Sequence, residues 1–214
     1  MKKLGLFLMA IGLLSMTACT STKLTSSWKT PDARLQQENK IMVIALVPAK
    51  ERSLRILMEN NLVTELKKEG YNAISAYATY GPADTLGKDE KAALKQFRNS
   101  DVDQVMTVAM VDKSREKKYV PAYNGFGPYG GYPYYGGGFW PYYRGWYGRM
   151  YDPGYYSVNT KYEWETNLYD LKEKKLLYNA QSASVDPPTA YRQAYLFAKQ
   201  IVKDMQKQQL IAMK

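Results

Sequence analysis

The sequence predicts an α/β fold. A β-α-β-α-β run comes first, then a β-hairpin and a C-terminal helix, giving a mixed sheet with helices packed on it. A long Tyr/Gly-rich loop is inserted before the hairpin. Three observations predict this. Residues 40–47, Lys-Ile-Met-Val-Ile-Ala-Leu-Val, are continuously apolar after the lysine and rich in β-branched side chains, the pattern of a strand buried on both faces of a parallel sheet. In residues 51–69, Leu54, Leu57, Met58, Leu62 and Leu66 recur at three- and four-residue steps, the stripe of an amphipathic helix. Later, Tyr162, Trp164, Thr166 and Leu168 alternate with Lys161, Glu163, Glu165 and Asn167, which marks a strand with one wet face.

The chain opens with an address. Residues 1–18 read as a secretory signal peptide, with Lys2 and Lys3 before an apolar run over 4–14. That run is shorter than the roughly 20 residues a spanning helix needs. Ser15-Met16-Thr17-Ala18-Cys19 resembles a bacterial lipobox, with Met16 where leucine is usual. The resemblance implies that Cys19 becomes the first residue, carries diacylglycerol on its thiol and is acylated, typically with palmitate, on its amine. Each buried CH₂ adds about 0.8 kcal/mol, so two or three chains hold the protein to a membrane stably. Thr20 follows the cysteine rather than Asp. By resemblance to lipoprotein sorting, that implies the outer membrane, facing the periplasm. Loss of Lys2 and Lys3 with the leader lowers the formal charge from +10 to +8.

Residues 19–39 are mostly polar and read as a lipidated flexible tether. Trp28 interrupts it, either as an edge contact on the domain or as an anchor among lipid headgroups, where Trp is favoured. Residues 40–214 then form a single α/β domain. Pro48 ends the first strand and Gly70 stops the first helix. A short strand follows over 71–77, a loop at Gly81-Pro82, a helix over 88–99 with Ala93, Leu94 and Phe97 inward, and a buried strand over 103–111. Right-handed crossovers make these three strands parallel. A strand over 157–171 pairs with 176–185 across the turn Leu171-Lys172-Glu173-Lys174-Lys175, and Asp186-Pro187-Pro188 breaks the second strand. Thr189 can cap the last helix, whose stripe is Tyr191, Ala194, Tyr195, Ala198, Ile201, Val202 and Met205.

The lipobox, the Ser27-Trp28-Lys29 tether, this element order, and Tyr169-Asp170-Leu171 followed by Lys175-Leu176-Leu177-Tyr178 together resemble a family of uncharacterised bacterial lipoproteins, a domain of unknown function. The resemblance implies a small α/β sandwich similar to the N-terminal domain of TolB and to periplasmic assembly lipoproteins. It brings no catalytic residues, and fold alone does not give function.

Residues 121–156 are the compositional outlier. They hold 11 of the 20 tyrosines, with 10 Gly, 5 Pro, 2 Trp and 2 Phe, and Arg144, Arg149 and Asp152 as their charges. Gly and Pro at this density deny the segment a regular helix or central strand. It joins strands at 116–120 and 157–171, so it is a loop, and loops of this length are functional or disordered. Three readings stand: a loop without a specific ligand, a binding loop, or an interfacial membrane contact. As a binding loop it resembles antibody loops, where Tyr supplies contact area at low entropic cost. Its partner would be an envelope protein or a glycan such as peptidoglycan. The candidate ligand-binding residues are Tyr129, Tyr132, Tyr134, Tyr135, Trp140, Tyr142, Tyr143, Arg144, Trp146 and Arg149.

Much chemistry is excluded. There is no histidine and one cysteine, so no Ser-His-Asp triad, Cys-His pair, internal disulfide or His-based zinc site can form. Neither phosphate-binding glycine motif occurs. Glu163 and Glu165 share one strand face, where a solvated surface with cross-strand lysines accounts for them more simply than a paired-carboxylate glycosidase. Asp101 and Asp103 read as a loop pair without a third hard ligand. The lysines are scattered rather than clustered, which favours lipid or cell-wall polymers over nucleic acid as counter-charge. The expectation is therefore a non-enzymatic, accessory or structural envelope lipoprotein without metal or cofactor. The alternatives are a weak carboxylate-based hydrolase or transferase, and a subunit of an envelope assembly or secretion complex.

Overall fold

A computed structural model describes residues 22–81, 90–120, 139–140 and 155–212. In chain order the elements are β1 (Thr22–Lys29), β2 (Lys40–Leu46), a 3₁₀ turn (Ala49–Glu51), α1 (Arg52–Lys68), β3 (Asn72–Ser75), α2 (Ala76–Tyr80), α3 (Glu90–Asn99), β4 (Gln104–Val120), β5 (Tyr155–Asp170), β6 (Lys175–Val185) and α4 (Ala190–Lys207). Six strands form one mixed sheet in the order β1-β6-β5-β4-β2-β3. β2 is parallel to both β3 and β4, with Ile41 opposite Ala73 and Gln104. The predicted α/β class and element order stand. Two compact units divide the chain: Met1–Asp112 with Tyr162–Lys214, and Lys113–Lys161. The second is wider than the 121–156 insertion because it takes strand residues on either side.

In the first unit, α1 contributes Leu54, Met58, Leu62 and Leu66, and α4 contributes Ala194, Phe197, Ala198, Ile201 and Met205. They pack on Ile41, Val43, Met106, Trp164, Leu168 and Tyr178 of the sheet. Met42 and Ile44 point the other way, into a smaller cluster with Ala76, Val102, Val105 and the flanking Tyr80 and Phe97. This two-sided burial explains why β2 is apolar at consecutive positions.

The flexible-tether expectation for residues 19–39 is corrected at Thr22–Lys29, which form an edge strand. β1 runs antiparallel to β6, from Thr22 opposite Ser184 to Lys29 opposite Tyr178, with a bulge between Leu24 and Ser26. An edge strand needs little apolar surface when its side chains find polar partners. Thr22 Oγ1 bonds Ser184 Oγ at 3.0 Å, and Ser26 Oγ donates to Gln181 Oε1 at 3.3 Å. Leu35 is buried in the main core, and its N–H donates to the Leu210 carbonyl at 2.9 Å. The domain therefore starts near residue 22 rather than 40. Trp28 lies on this edge strand, half-exposed.

Three smaller corrections follow from local chemistry. The strands expected at 103–111 and 116–120 are one 17-residue strand. The strand expected over 71–77 ends at Ser75, whose hydroxyl caps α2 by accepting the Ala78 N–H at 3.1 Å. Tyr191, placed on the buried stripe, is exposed and stacks on Tyr195 at 6.3 Å, while Phe197 fills the core.

Candidate functional site

The second unit, Lys113–Lys161, contains the Tyr/Gly-rich segment. Its described strand residues are 113–120 of β4 and 155–161 of β5, neighbours in the sheet. Aromatic side chains here face solvent: Tyr119, Tyr155 and Tyr156 are 49%, 65% and 69% exposed. Tyr119 and Tyr156 hold their rings 5.4 Å apart and tilted, a favourable aromatic geometry. Among the expected ligand-binding residues, Trp140 is described. It is exposed, with its ring edge-on to Phe139 at 5.2 Å. Tyr129, Tyr132, Tyr134, Tyr135, Tyr142, Tyr143, Arg144, Trp146 and Arg149 lie outside the described residues, as does the expected lipidation site Cys19. An array of exposed rings suits contact with apolar protein surface or with the C–H faces of sugars.

The paired glutamates sit on β5 between buried Trp164, Thr166 and Leu168. Glu165 bonds to side-chain amides. Its Oε1 accepts from Asn167 Nδ2 at 3.2 Å and from Asn179 Nδ2 at 3.1 Å. Asn179 Nδ2 also donates to Asn167 Oδ1 at 2.6 Å. At Glu165 an amide network takes the place that a cross-strand lysine could fill.

Two polar features were not read from the sequence. Glu59 of α1 is fully buried. Its Oε1 accepts from Ala45 N–H at 3.0 Å and Arg55 Nε at 3.3 Å, and its Oε2 from Ser75 Oγ at 2.6 Å and Tyr77 N–H at 2.7 Å. The β2–β3 ladder stops at Val43–Ser75, and this carboxylate satisfies the backbone beyond it. Four donors explain why a charge is tolerated inside. Beside it, Arg52 donates to Tyr77 Oη through Nε and Nη2, at 2.9 and 2.6 Å. The available signal was Arg55 four residues before Glu59, an ion-pair spacing. The second feature is Tyr178, whose hydroxyl donates to Asp204 Oδ2 at 2.8 Å. Burial, and then that bond, raise the tyrosine pKa well above its ordinary value, so the hydroxyl stays a donor.

Asp103 of the expected loop pair is a clamp. It accepts the Lys40 N–H at 3.0 Å and pairs with Lys172 Nζ at 2.9 Å. The Lys172 and Lys40 hydrogen bonds hold its carboxyl below the usual range. Among the described residues no group of three His, Cys, Asp or Glu is placed to hold a metal ion. Among them, no helix is long and apolar enough to cross a membrane.

No family model matches the sequence, and no curated protein matches it either. Among solved structures, the chain is similar to the PelC dodecamer from Paraburkholderia phytofirmans, at 12% identity and a TM-score of 0.44, covering 90% of this chain and 99% of that one. It is also similar to lipoprotein GNA1162 from Neisseria meningitidis, at 11% identity and a TM-score of 0.44, covering 79% of this chain and 99% of that one. Both similarities lie below the level that establishes a shared fold.

Proposed function

We propose that this chain is a non-enzymatic lipoprotein of the bacterial outer membrane, lipidated at Cys19 and facing the periplasm, that binds an envelope protein or a glycan through its Tyr/Gly segment. The observation that carries the reading is the concentration of 11 tyrosines in residues 121–156; the two of them on β5, Tyr155 and Tyr156, are exposed, as is Tyr119 on β4. Tyr119, Phe139, Trp140, Tyr155 and Tyr156 are all exposed within the second unit, and exposed rings gathered in one unit suit a partner. With β1 starting at Thr22, it lies three residue steps from Cys19, with Thr20 and Ser21 between. That span is at most about 11 Å, so lipidation would hold the first strand close to the bilayer.

Replacing residues 121–154 by a short Gly/Ser linker tests the binding role. In-cell crosslinking should lose its specific partner while the domain stays folded. An unchanged crosslinking pattern would sink the proposal. Cys19→Ala tests the anchor separately, through lipid labelling and membrane retention; both should disappear.

A further inference from the structure

We infer that the free edge of β1 takes an extended acidic peptide, added as a further strand alongside α4. This does not rest on the Tyr/Gly segment or on lipidation. β1 ends the sheet order, and among the described residues no strand pairs with its outer side. Every second N–H and C=O of such an edge is available to an incoming strand. Beside the strand lies a groove of about 510 Å³, lined by Leu24 of β1 and by Gln200, Lys203, Asp204, Gln206 and Lys207 of α4. A groove between an edge strand and a helix is the arrangement that strand addition uses. The main chain supplies affinity, and alternate side chains enter the groove to supply specificity.

The charges select the occupant. Lys203 and Lys207 stand one helical turn apart and are exposed. The one acid lining the groove, Asp204, is already engaged by Tyr178 Oη at 2.8 Å and by Gln208 Nε2 at 3.5 Å. Those neutral donors leave Asp204 charged but occupy its Oδ2, and the two lysines outnumber it, so the groove faces a ligand with a net positive charge. Gln200 Oε1 is buried with no hydrogen-bond partner among the described residues, and a turn of its side chain would be needed to offer it to a peptide N–H. A second copy of the chain fits poorly. It carries a formal charge of +10 and would oppose lysine to lysine, which is how edge strands resist self-pairing. The bulge between Leu24 and Ser26 breaks the regular ladder and limits the added strand to a short segment.

The test uses the full chain in uncharged detergent and fluorescent peptides of roughly ten residues, alternating Val with Glu or Val with Lys. The Glu peptide should bind about tenfold or more tightly than the Lys peptide, by anisotropy, and should weaken as salt rises. Its binding should slow amide exchange in Thr22–Lys29 and leave Asn72–Ser75, the other sheet edge, unchanged. Lys203→Glu with Lys207→Glu should reverse the charge preference. Lys203→Gln with Lys207→Gln, which spares the helix end a new acid, should abolish it. Four results would overturn the inference: equal affinity for both peptides, binding that survives both double variants, protection only outside β1, or lysine-dependent binding of phosphatidylglycerol vesicles without β1 protection. Dimerisation without peptide, with β1 protected, would assign the edge to a second copy and overturn it equally.

Discussion

The same residue types do opposite work in the two units. In the first, Trp164, Tyr178 and Phe197 are wholly buried, and Trp164 packs on Phe197 at 5.8 Å. In the second, Tyr119 and Tyr156 meet each other, and they and Tyr155 face solvent. The difference is one of context rather than composition. Strand alternation and a helix stripe give the first unit apolar faces that must be covered, whereas Gly and Pro interrupt any such face in the Tyr/Gly segment. The aromatics buried in the first unit therefore serve stability, while the exposed ones of the second are free to serve contact. Substitutions should separate these roles.

The largest effect is expected for Trp164→Ala, which empties the centre of the main core. It should cost about 3–5 kcal/mol, read by chemical denaturation, and can unfold the protein outright. Glu59→Gln comes next. It turns one acceptor oxygen into an NH₂ facing the Tyr77 N–H and the Ser75 hydroxyl, leaving buried donors unsatisfied. A loss of about 1–3 kcal/mol is expected. A neutral result would show that the carboxylate is dispensable to the end of the β2–β3 ladder. Neither substitution should alter partner capture while the fold survives.

The contrast also explains what could be read in advance. β2, α1, the β5–β6 hairpin and α4 were legible because two-sided burial or a single apolar stripe leaves a period in the sequence. β1 was not, because Thr-Lys-Leu-Thr-Ser-Ser-Trp-Lys earns its place by pairing with β6 through backbone and hydroxyl groups, with one apolar side chain facing the groove. Glu59 escaped because a charge one position past Met58 looks like the edge of a wet face, and its four donors come from three separate stretches of chain. Ser75 hid the strand-to-helix switch for a similar reason, since a cap is recognised only once the helix is known. The candidate site was legible in composition, through the tyrosine count. Its geometry was not, because low-complexity Tyr and Gly carry no period to orient individual rings.

A smaller effect is expected at the surface clamp of the first unit. Asp103 is held below its ordinary pKa of 3.8 by Lys172 and by the Lys40 N–H. The depressed folded-state value means its contribution is complete above the unfolded-state pKa and is lost as pH falls below 3.8 through the folded one. Asp103→Asn should therefore lower stability slightly at neutral pH and leave it almost unchanged in strong acid. The two denaturation curves should converge as the pH drops. Parallel curves down to the lowest pH would mean that the clamp makes no difference to folding.

The smallest stability effect should come from the second unit, and it sharpens the comparison most. Tyr119→Ser with Tyr156→Ser removes a ring pair that is exposed and touches little apolar core. It should change stability by no more than about 0.5 kcal/mol, as for most surface substitutions. If these rings serve contact, partner crosslinking should nevertheless fall severalfold, because exposed Tyr is a common anchor of interfaces. A loss as large as that from Trp164→Ala, without a change in crosslinking, would make the two units alike in physical role. It would also remove the main structural reason for assigning binding to the second. The pair is a stringent choice because its geometry is described and it stands at the strand ends of the Tyr/Gly segment, outside the core. Stability and capture can therefore be measured on one folded protein, where they are expected to move independently.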